Sequence, residues 1–380
     1  MIVLAVNAGS SSVKLQVIDT AEDRLIGKVM VECRGITHDE AIARGLEELH
    51  SPHILGVGHR VVHGGDRFSG SVLITDEVIR AVEDLCYLAP LHNPVNLAGI
   101  RACLHLLPDV PQVAVFDTAF HATVPPAAFT YALPRDIAAK WKIRRYGFHG
   151  TSHRYLTERF AALQGRPPSD FNLITIHLGN GCSACAVEKG HAVDSTMGMT
   201  PLEGLVMGTR PGDLDPAVVY RLLEWERLDI AALDHLLNHK SGLLGLSGLS
   251  NDMRELLRLE SEGLEPARLA IDVFCHRIRR YIGAFYAILN GADAIVFSGG
   301  IGENQAAIRS RVCRDLQALG ISLDESANSQ CQGREADLSA PAARTRVWVI
   351  PTNEELLIAR DTAALIGSTS ATVSSHPSGG

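Results

Sequence analysis

Residues 2–19 read IVLAVNAGSSSVKLQVID. A continuous apolar run leads into a polar turn rich in Gly and Ser, and apolar and polar residues then alternate. A continuous apolar run fits a buried strand, whereas alternation with a period of two is typical of a half-buried strand. This stretch therefore predicts a β-hairpin with strands over Ile2–Val6 and Val13–Asp19.

A second stretch, residues 173–187, follows the same plan and reads LITIHLGNGCSACAV. It predicts strands over Leu173–His177 and Ala184–Val187, joined by a turn that contains Gly and a hydroxyl. Two hairpins of one plan indicate a duplicated structural unit. Chance similarity between two hairpins is the alternative.

The remaining pattern alternates helices with strands, which predicts an α/β fold. A hairpin at the start of each half argues against a plain doubly wound dinucleotide-binding fold. Residues 367–380 contain little that could be buried, so we expect a disordered tail there. The other predicted elements are helices over Thr75–Leu88, from Pro266 to Gly291 and, short, from Leu356, and strands over Val113–Phe116, Ala294–Phe297 and Val347–Ile350.

Composition narrows the function classes. The chain has 380 residues, of which 46% are hydrophobic and 21% charged, as in ordinary globular proteins of about two domains. Its net charge is −8 and it has no basic block, which argues against a nucleic-acid partner. No apolar run approaches the roughly 20 residues that span a bilayer, and the first residues do not resemble a signal peptide. We therefore expect a cytoplasmic protein.

The eight cysteines are scattered, which predicts free thiols in a protein of this kind. Cys182 and Cys185 form a CxxC, but two further zinc ligands at matching spacing are missing nearby. Residues three apart on a strand also point to opposite faces. A metal or redox role for this pair is therefore the weaker alternative.

Three turns combine Gly with Ser or Asn after a predicted buried strand. Gly lets backbone N–H groups approach an oxyanion closely, so three such turns predict a polyphosphate ligand. Neither usual nucleotide signature is present, since GxxxxGK[ST] is missing and Gly299–Gly302 does not fit GxGxxG. A steric requirement for Gly is the alternative explanation for any one turn.

Four charged or titratable residues stand in turn-rich surroundings of low charge: Arg60, Asp117, His149 and Arg210. Taken singly, each arginine fits a structural ion pair and the histidine a satisfied core residue. Together they predict an anion site. His149 and His153 also have the i, i+4 spacing of metal ligands on a helix, but no third ligand is evident. A helix cap at Thr151 or Ser152 is the plainer interpretation of this segment.

The chain resembles the acetate kinase family over nearly its whole length. The motifs that carry the resemblance are NAGSSSVK at 7–14, GHRVVHGG at 58–65, APLHNP at 89–94, FDTAFH at 116–121, YGFHGTSH at 146–153, HLGNG at 177–181, MGMTPLEGLVMGTRPGDLDP at 197–216, SGLSNDMRE at 247–255, SGGIGEN at 298–304 and PTNEEL at 351–356.

This family belongs to the superfamily of sugar kinases, Hsp70 and actin. The resemblance therefore implies an α/β fold of two duplicated ribonuclease-H-like (actin/Hsp70-type) domains with a nucleotide cleft between them. It places an N-terminal domain over residues 1–119 plus about 355–370, and a nucleotide-binding and dimerisation domain over 120–354. It also implies a homodimer.

Roles for single residues follow from the same resemblance. It implies catalytic roles for Asp117, His149 and Arg210, and Mg²⁺ binding, with Mn²⁺ as a substitute, by Asn7 and Glu354. The implied acetate contacts are Arg60, Val62, Leu91, Phe148 and Pro201. The implied ATP contacts are Lys14, His177, Leu178, Gly179, Asn180, Gly181, Asp252, Met253, Arg254, Gly300, Ile301, Gly302, Glu303 and Asn304.

The implied activity is a phosphotransferase with a carboxyl group as acceptor, forming acetyl phosphate and ADP from acetate and ATP. A propionate or butyrate kinase and a non-catalytic nucleotide-binding relative are the alternatives. Because acetate is ionised at neutral pH, it needs no general base, so we expect Asp117 to orient Arg60 or a metal ion. The chain departs from the family pattern at Cys182, where relatives have a hydroxyl, and is shorter between Asp19 and Gly58, which we expect to trim the first domain's sheet edge.

Overall fold

The computed structural model describes residues 1–50 and 53–373. The chain forms two compact units, the first from Met1–Ala122 together with the chain from Asn353 onward, and the second from Thr123–Thr352. The first division falls inside a 3₁₀ helix, Ala119–Thr123, three residues beyond the boundary predicted from sequence.

Each unit is built on one six-stranded sheet. The strands of the first unit are β1 Ile2–Ala8, β2 Ser12–Asp19, β3 Arg24–Glu32, β4 Gly56–Val61, β5 Val72–Leu73 and β6 Gln112–Phe116. The strands of the second unit are β7 Asn172–Leu178, β8 Cys182–Glu188, β9 His191–Ser195, β10 Ala294–Ser298, β11 Ala336–Asp337 and β12 Arg346–Val349.

Helices flank both sheets. In chain order they are α1 His38–Glu48, α2 Asp76–Asp84, α3 Asn93–Leu106, α4 Pro126–Phe129, α5 Arg135–Lys140, α6 Gly150–Leu163, α7 Pro216–Trp225, α8 Ile230–His239, α9 Gly242–Ser247, α10 Met253–Ser261, α11 Glu265–Ile288, α12 Gly299–Asn304, α13 Ala306–Cys313, α14 Glu325–Gln330 and α15 Glu354–Val373. Two more 3₁₀ helices lie at Pro168–Asp170 and Gln317–Leu319.

The two sheets have the same topology. Their strand orders are β3-β2-β1-β4-β6-β5 and β9-β8-β7-β10-β12-β11, so each strand of the first sheet has a counterpart in the second. In both, an antiparallel three-stranded meander is extended by two parallel strands and closed by a two-residue antiparallel strand. The predicted duplication is therefore confirmed, and the first sheet keeps every strand despite the shortened segment.

Both predicted hairpins are present. β1 pairs with β2 from Ile2 opposite Asp19 to Ala8 opposite Val13, and β7 pairs with β8 in the same way. The side chains of Leu4, Val6, Val13 and Leu15 are fully or almost fully buried, in a core that includes α1 and α3 residues. Burial of these apolar side chains stabilises the hairpin that the alternation predicted.

The C-terminal helix is longer than the sequence indicates. α15 begins at Glu354 and continues to Val373, where a short helix from Leu356 and a disordered tail from residue 367 were predicted. Its first half packs on β1, β4 and β6, with Leu357 and Ile358 buried. Once packing has fixed these turns, each further residue adds a hydrogen bond at little cost, so weakly helical residues extend the helix. Residues 374–380 of the predicted tail lie outside the described residues.

Among the residues the structure describes, no helix is long and apolar enough to cross a membrane. All eight cysteines are free thiols, as the sequence predicted. Six of them are buried, which accords with packing roles.

Candidate active site

The first unit gathers charged side chains at one edge of its sheet. β4 and β6 are adjacent and parallel, with Val61 opposite Phe116, so the carboxyl ends of both strands meet there. Arg60 stands at the end of β4 and Asp117 directly follows β6. The Arg60 guanidinium donates both from Nε to Asp117 Oδ1, at 3.1 Å, and from Nη2 to Asp117 Oδ2. This two-point contact fixes the plane of the guanidinium.

Arg60 has a second carboxylate beside it. Its Nε lies 3.6 Å from Oε2 of Glu354, the first residue of α15. Burial alone would lower the pKa of Arg60, but the negative charges of Asp117 and Glu354 raise it above its usual range. The Arg60 side chain is 19% exposed and that of Asp117 only 1%, so the guanidinium retains an accessible edge and the carboxylate does not.

Lys14 and Asn7 belong to the same edge. They lie opposite each other in the β1–β2 hairpin, and Lys14 Nζ is 2.5 Å from Oε1 of Glu355. Both glutamates lie in the first turn of α15, where the helix dipole favours negative charge. The resemblance implies the metal-linked role for Glu354, with Glu355 as the adjacent candidate in the same motif, and the fold places Glu355 against Lys14.

Glu354 and Asn7, the residues implied to bind a metal ion, fit only one kind of metal site. Within the described residues, no group of three or more His, Cys, Asp or Glu side chains could hold a metal ion. One carboxylate and one carboxamide, Glu354 and Asn7, are too few for a cage of protein ligands. They suit an ion that takes most of its ligands from water and substrate phosphates, as Mg²⁺ does in kinases.

In the second unit, two nitrogen donors converge on the turn between β7 and β8. A Cβ atom added to Gly181 would stand 2.9 Å from Arg210 Nη2 and 3.3 Å from His149 Nε2. The absence of a side chain at Gly181 therefore leaves the space in front of these two groups open. The structure thus brings together His149 and Arg210, which are 61 positions apart in the sequence, at a turn predicted to bind phosphate.

His149 is held by its backbone and its ring. It adopts the left-handed conformation, with φ 55° and ψ 30°, immediately before α6, and its Nδ1 lies 2.9 Å from Ser183 Oγ. Its ring centroid lies 4.6 Å from that of His177. The predicted helix cap at Thr151 or Ser152 is wrong, since His149 occupies the cap position and Ser152 Oγ contacts His177 Nδ1 instead, at 2.9 Å.

Arg210 is anchored at one end of its guanidinium. Nη1 donates to the Pro201 carbonyl at 2.6 Å, while Nη2 is the nitrogen near Gly181. Burial lowers the pKa of Arg210, and no carboxylate contributes to the shift. At Arg60, by contrast, the neighbouring carboxylates outweigh the effect of burial. An arginine without a compensating carboxylate is well suited to bind an anionic substrate.

A cavity of about 630 Å³ opens beside the same turn. Two of its lining residues, Asn180 and Asn251, are joined by a hydrogen bond from Asn251 Nδ2 to Asn180 Oδ1 at 3.2 Å, and the Asn180 backbone carbonyl accepts from Gly208 N at 2.9 Å. The cavity is lined by Gly179, Asn180, Asn251, Asp252, Met253, Arg254, Gly300, Ile301, Asn304 and Gln305.

Most residues with an implied ATP contact line this cavity, and Asn251 and Gln305 join them without a prediction. Lys14 lies in the first unit. The others named from sequence, His177, Leu178, Gly181, Gly302 and Glu303, are not among the lining residues. Glu303 Oε1 instead accepts from Gly299 N at 2.8 Å and Thr352 N at 3.2 Å, which ties the glycine turn to the end of β12.

Gly299 shows why this turn needs glycine. Its φ is +75°, and a Cβ there would lie 2.7 Å from the Leu178 carbonyl oxygen. β10 and β7 are parallel neighbours, so the turn after β10 passes directly over the end of β7. Gly299 is therefore required for steric reasons. This requirement does not conflict with a ligand contact at Gly300 or Ile301.

The residues implied to bind the acetate methyl group are divided between the units. Val62 and Leu91 belong to the first, where Val62 is buried and Leu91 is 51% exposed. Phe148 and Pro201 belong to the second unit. Phe148 is buried and directly precedes His149 in the sequence.

Cys182 stands where relatives more often have a hydroxyl, and a thiol is a weaker hydrogen-bond donor than a hydroxyl. Its thiol points back into the turn and donates to the Gly179 carbonyl at 3.2 Å, and burial raises its pKa to about 12. Cys185 is buried on the neighbouring part of β8 and donates to the Ala186 carbonyl. Burial raises the pKa of both thiols, whereas a redox or metal-binding cysteine has a lowered pKa, which argues against the CxxC alternative.

Comparison with known proteins agrees with this geometry. The family model described as the acetokinase family matches residues 36–360. The acetate kinase of Heliobacterium modesticaldum is 49% identical over 398 residues, an alignment that covers 96% of this chain and all of that protein.

Solved structures are equally similar. The crystal structure of Porphyromonas gingivalis acetate kinase has a TM-score of 0.91 at 42% identity and covers 96% of this chain and 99% of its own. A propionate kinase from Francisella tularensis subsp. tularensis SCHU S4 has a TM-score of 0.89 at 39% identity, with the same coverage. Matched over most of its length by the family model and by close full-length relatives, this chain belongs to the acetokinase family.

Proposed function

We propose that this protein is an acetate kinase, which transfers the γ-phosphoryl group of ATP reversibly to acetate and forms acetyl phosphate and ADP. The observation that carries the proposal is the convergence of Arg210 Nη2 and His149 Nε2 at Gly181, beside the cavity lined by Asn180 and Gly300. Two donors at a glycine turn next to a nucleotide-sized cavity are what a transferring phosphoryl group requires.

The reaction itself determines which groups are needed. A carboxylic acid has a pKa of roughly 4–4.5, so acetate is a ready nucleophile at neutral pH. The barrier lies in bringing one anion against another, and phosphoryl transfer proceeds mainly through positioning and charge stabilisation. Arginine, histidine and a metal ion supply that stabilisation, and a proton-transfer base is not required.

In this proposal Arg60 binds the acetate carboxylate. Asp117 fixes the guanidinium plane through two hydrogen bonds, and the accessible edge of Arg60 presents donors to a second carboxylate. Asp117 is thus a positioning residue rather than a base. Its two hydrogen bonds from Arg60 and its burial, at 1% exposure, support this positioning role.

Arg210 and His149 bind the equatorial oxygens of the transferring group. These oxygens carry the charge that is redistributed in the transition state, so fixed N–H donors there lower the barrier. Preorganisation comes from the Pro201 carbonyl for Arg210 and from Ser183 for His149.

We propose Mg²⁺ as the divalent ion, held by Glu354 with Asn7 nearby. When bound, the ion neutralises charge on the β- and γ-phosphates. Glu354 offers the ion an anionic oxygen ligand at the start of α15, and its carboxylate also lies beside Arg60. Lys14, paired with Glu355, adds a positive charge for the phosphates at the same edge.

The direct test is a hydroxylamine-trapping assay with acetate, ATP and Mg²⁺, which detects acetyl phosphate as acetyl hydroxamate. The proposal predicts product that depends on all three components. A protein that binds ATP without forming hydroxamate would be the non-catalytic relative, and larger turnover with propionate or butyrate than with acetate would favour the alternative kinase.

Val62 provides a test of acyl-group preference, because a propionate kinase is among the similar structures. Replacing Val62 with alanine enlarges the presumed methyl site, and one methylene changes discrimination by about 1–3 kcal/mol. We expect the ratio of kcat/KM for propionate to that for acetate to rise about tenfold. Val61→Ala is the matched control, since Val61 packs in the core with Phe116 and Ile100 and should leave the ratio unchanged. An unchanged ratio in Val62→Ala would remove this residue from the pocket.

We also propose a cytoplasmic homodimer. Support for self-association comes from apolar side chains exposed on α7 and α8, where Tyr220, Trp225 and Ile230 are 67%, 69% and 81% exposed. Three strongly exposed large apolar side chains within a short segment are candidate contacts for a partner, and we propose a second copy of the chain. Support for the cytoplasm comes from the eight free thiols, which persist in a reducing compartment.

A further inference from the structure

A row of three buried polar side chains, Ser183, His153 and Thr175, leads from His149 into the core of the second unit. His149 Nδ1 lies 2.9 Å from Ser183 Oγ, and Ser183 Oγ lies 2.8 Å from His153 Nε2. His153 Nδ1 in turn lies 2.8 Å from Thr175 Oγ1. Thr175, Ser183 and His153 are all fully buried, so water does not compete for these contacts.

The fold explains why these residues meet. β7 and β8 pair with His177 opposite Ser183, so Thr175, two residues before His177, shares their face of the sheet. α6 packs on these two strands, and His149 and His153 stand one helical turn apart at its start. The segment thus directs two imidazoles at a row of hydroxyl groups.

The number of available protons limits how the hydrogen bonds can be directed along this row of side chains. Ser183 has one hydroxyl proton and contacts two ring nitrogens, so it donates to one and accepts from the other. His149 Nε2 shares its surroundings with the Arg210 guanidinium, which is always charged. A neighbouring positive charge favours the neutral form of His149.

A neutral His149 is useful to a phosphate oxygen only if Nε2 carries the proton. Its Nδ1 must then accept from the Ser183 hydroxyl. Ser183 accepts from Nε2–H of His153, and Nδ1 of His153 accepts from the Thr175 hydroxyl. In this arrangement each contact between neighbouring side chains pairs one donor with one acceptor, and the row ends in an N–H at His149 Nε2.

We propose that Ser183, His153 and Thr175 are positioning residues that set the tautomer and orientation of His149 for phosphoryl transfer. This inference rests on the proposed function for its kinetic consequence, but the tautomer itself does not depend on activity. The left-handed backbone of His149 supports it, because a non-Gly residue keeps φ 55° only where its surroundings over-determine the conformation.

The kinetic test is a double-mutant cycle between Ser183→Ala and His149→Ala. We expect Ser183→Ala to lower kcat about 10- to 100-fold, with KM for acetate and ATP changed less than about threefold, since misplacing a catalytic group affects the transition state most. In the His149→Ala background, Ser183→Ala should change kcat less than about twofold. An equal loss in both backgrounds would overturn the proposal.

Two further variants separate positioning from folding. Thr175→Val removes the far end of the chain with little change of shape, and we expect a smaller loss of kcat in the same direction. Thr157→Val is the matched control, because Thr157 is equally buried on α6 but donates only to the His153 carbonyl, at 2.8 Å. Its kcat should equal that of the wild type, and a loss as large as that of Ser183→Ala would assign the effect to packing.

The tautomer is measured without turnover. Long-range ¹H–¹⁵N spectra of protein labelled at histidine, assigned with His149→Ala, should show His149 protonated at Nε2 in the wild type and a mixture of tautomers in Ser183→Ala. Identical His149 signals in both proteins would refute the role of Ser183. If the wild type forms no acetyl phosphate, the proposed function fails and this spectrum still decides the inference.

Discussion

Replacing Arg210 with alanine is expected to lower kcat about 10³-fold, the largest effect of any single substitution considered for this protein. Arg210 places Nη2 at the Gly181 turn without a carboxylate to neutralise it. Losing one oxyanion donor costs about 10²–10³ in kcat, and an arginine at a transferring phosphoryl group about 10³–10⁵. The loss should appear in kcat rather than in KM for ATP, since the contact strengthens in the transition state.

Two controls distinguish this role from a structural one. Arg210 also donates to the Pro201 carbonyl, so alanine could disturb that loop. Added guanidinium ion should restore part of kcat in Arg210→Ala if the missing charge is the cause, and should not if the loop has moved. Arg159→Ala removes a partly exposed arginine paired with Glu335 and should leave kcat unchanged. A kcat within tenfold of wild type in Arg210→Ala would contradict the assignment.

The second large effect concerns Asp117. We expect Asp117→Asn to lower kcat/KM for acetate about 10²-fold and to raise KM for acetate more than KM for ATP. Asparagine offers only one acceptor oxygen, so the two-point contact with Arg60 is lost. The guanidinium then turns toward Glu354, whose Oε2 is already 3.6 Å away.

The pH profile decides between positioning and base catalysis. With Asp117 as a positioning residue, kcat/KM falls in Asp117→Asn while the shape of its pH dependence stays the same. Loss of the acidic limb of a bell-shaped profile would identify Asp117 as a general base instead. Asp84→Asn is the matched control, because Asp84 pairs with Arg67 at the surface and should leave both parameters unchanged. Thermal unfolding of each variant reports whether the buried substitution has altered stability.

Elements with a strong apolar pattern could be predicted from the sequence. The two hairpins follow from apolar runs and alternation, and their common plan predicted the repeated topology. β3 was missed because Arg24–Glu32 lies at a sheet edge and is largely exposed, which removes the alternation. α12 was missed because it begins with glycines, which disfavour helix in isolation, and tertiary context overrides that preference.

The site was predictable in part for a similar reason. Arg60, Asp117, His149 and Arg210 stand in motifs whose composition signals an anion site. Their pairing depends on the order of strands, which a single sequence does not contain. Thr175 carried no signal in the sequence. Glu355 lies in the PTNEEL motif and Ser183 is the hydroxyl of the second hairpin turn, but only the fold shows which side chains they contact.

The stereochemical course of the reaction tests the central claim most directly. Direct in-line attack of acetate on ATP is a single displacement, so a γ-phosphoryl group made chiral with oxygen isotopes should arrive on acetyl phosphate with its configuration inverted. Net retention would require a second displacement through a phosphorylated side chain. Inversion is the result predicted from direct attack by acetate bound at Arg60, with His149 and Arg210 stabilising the transferring group, and retention would contradict it.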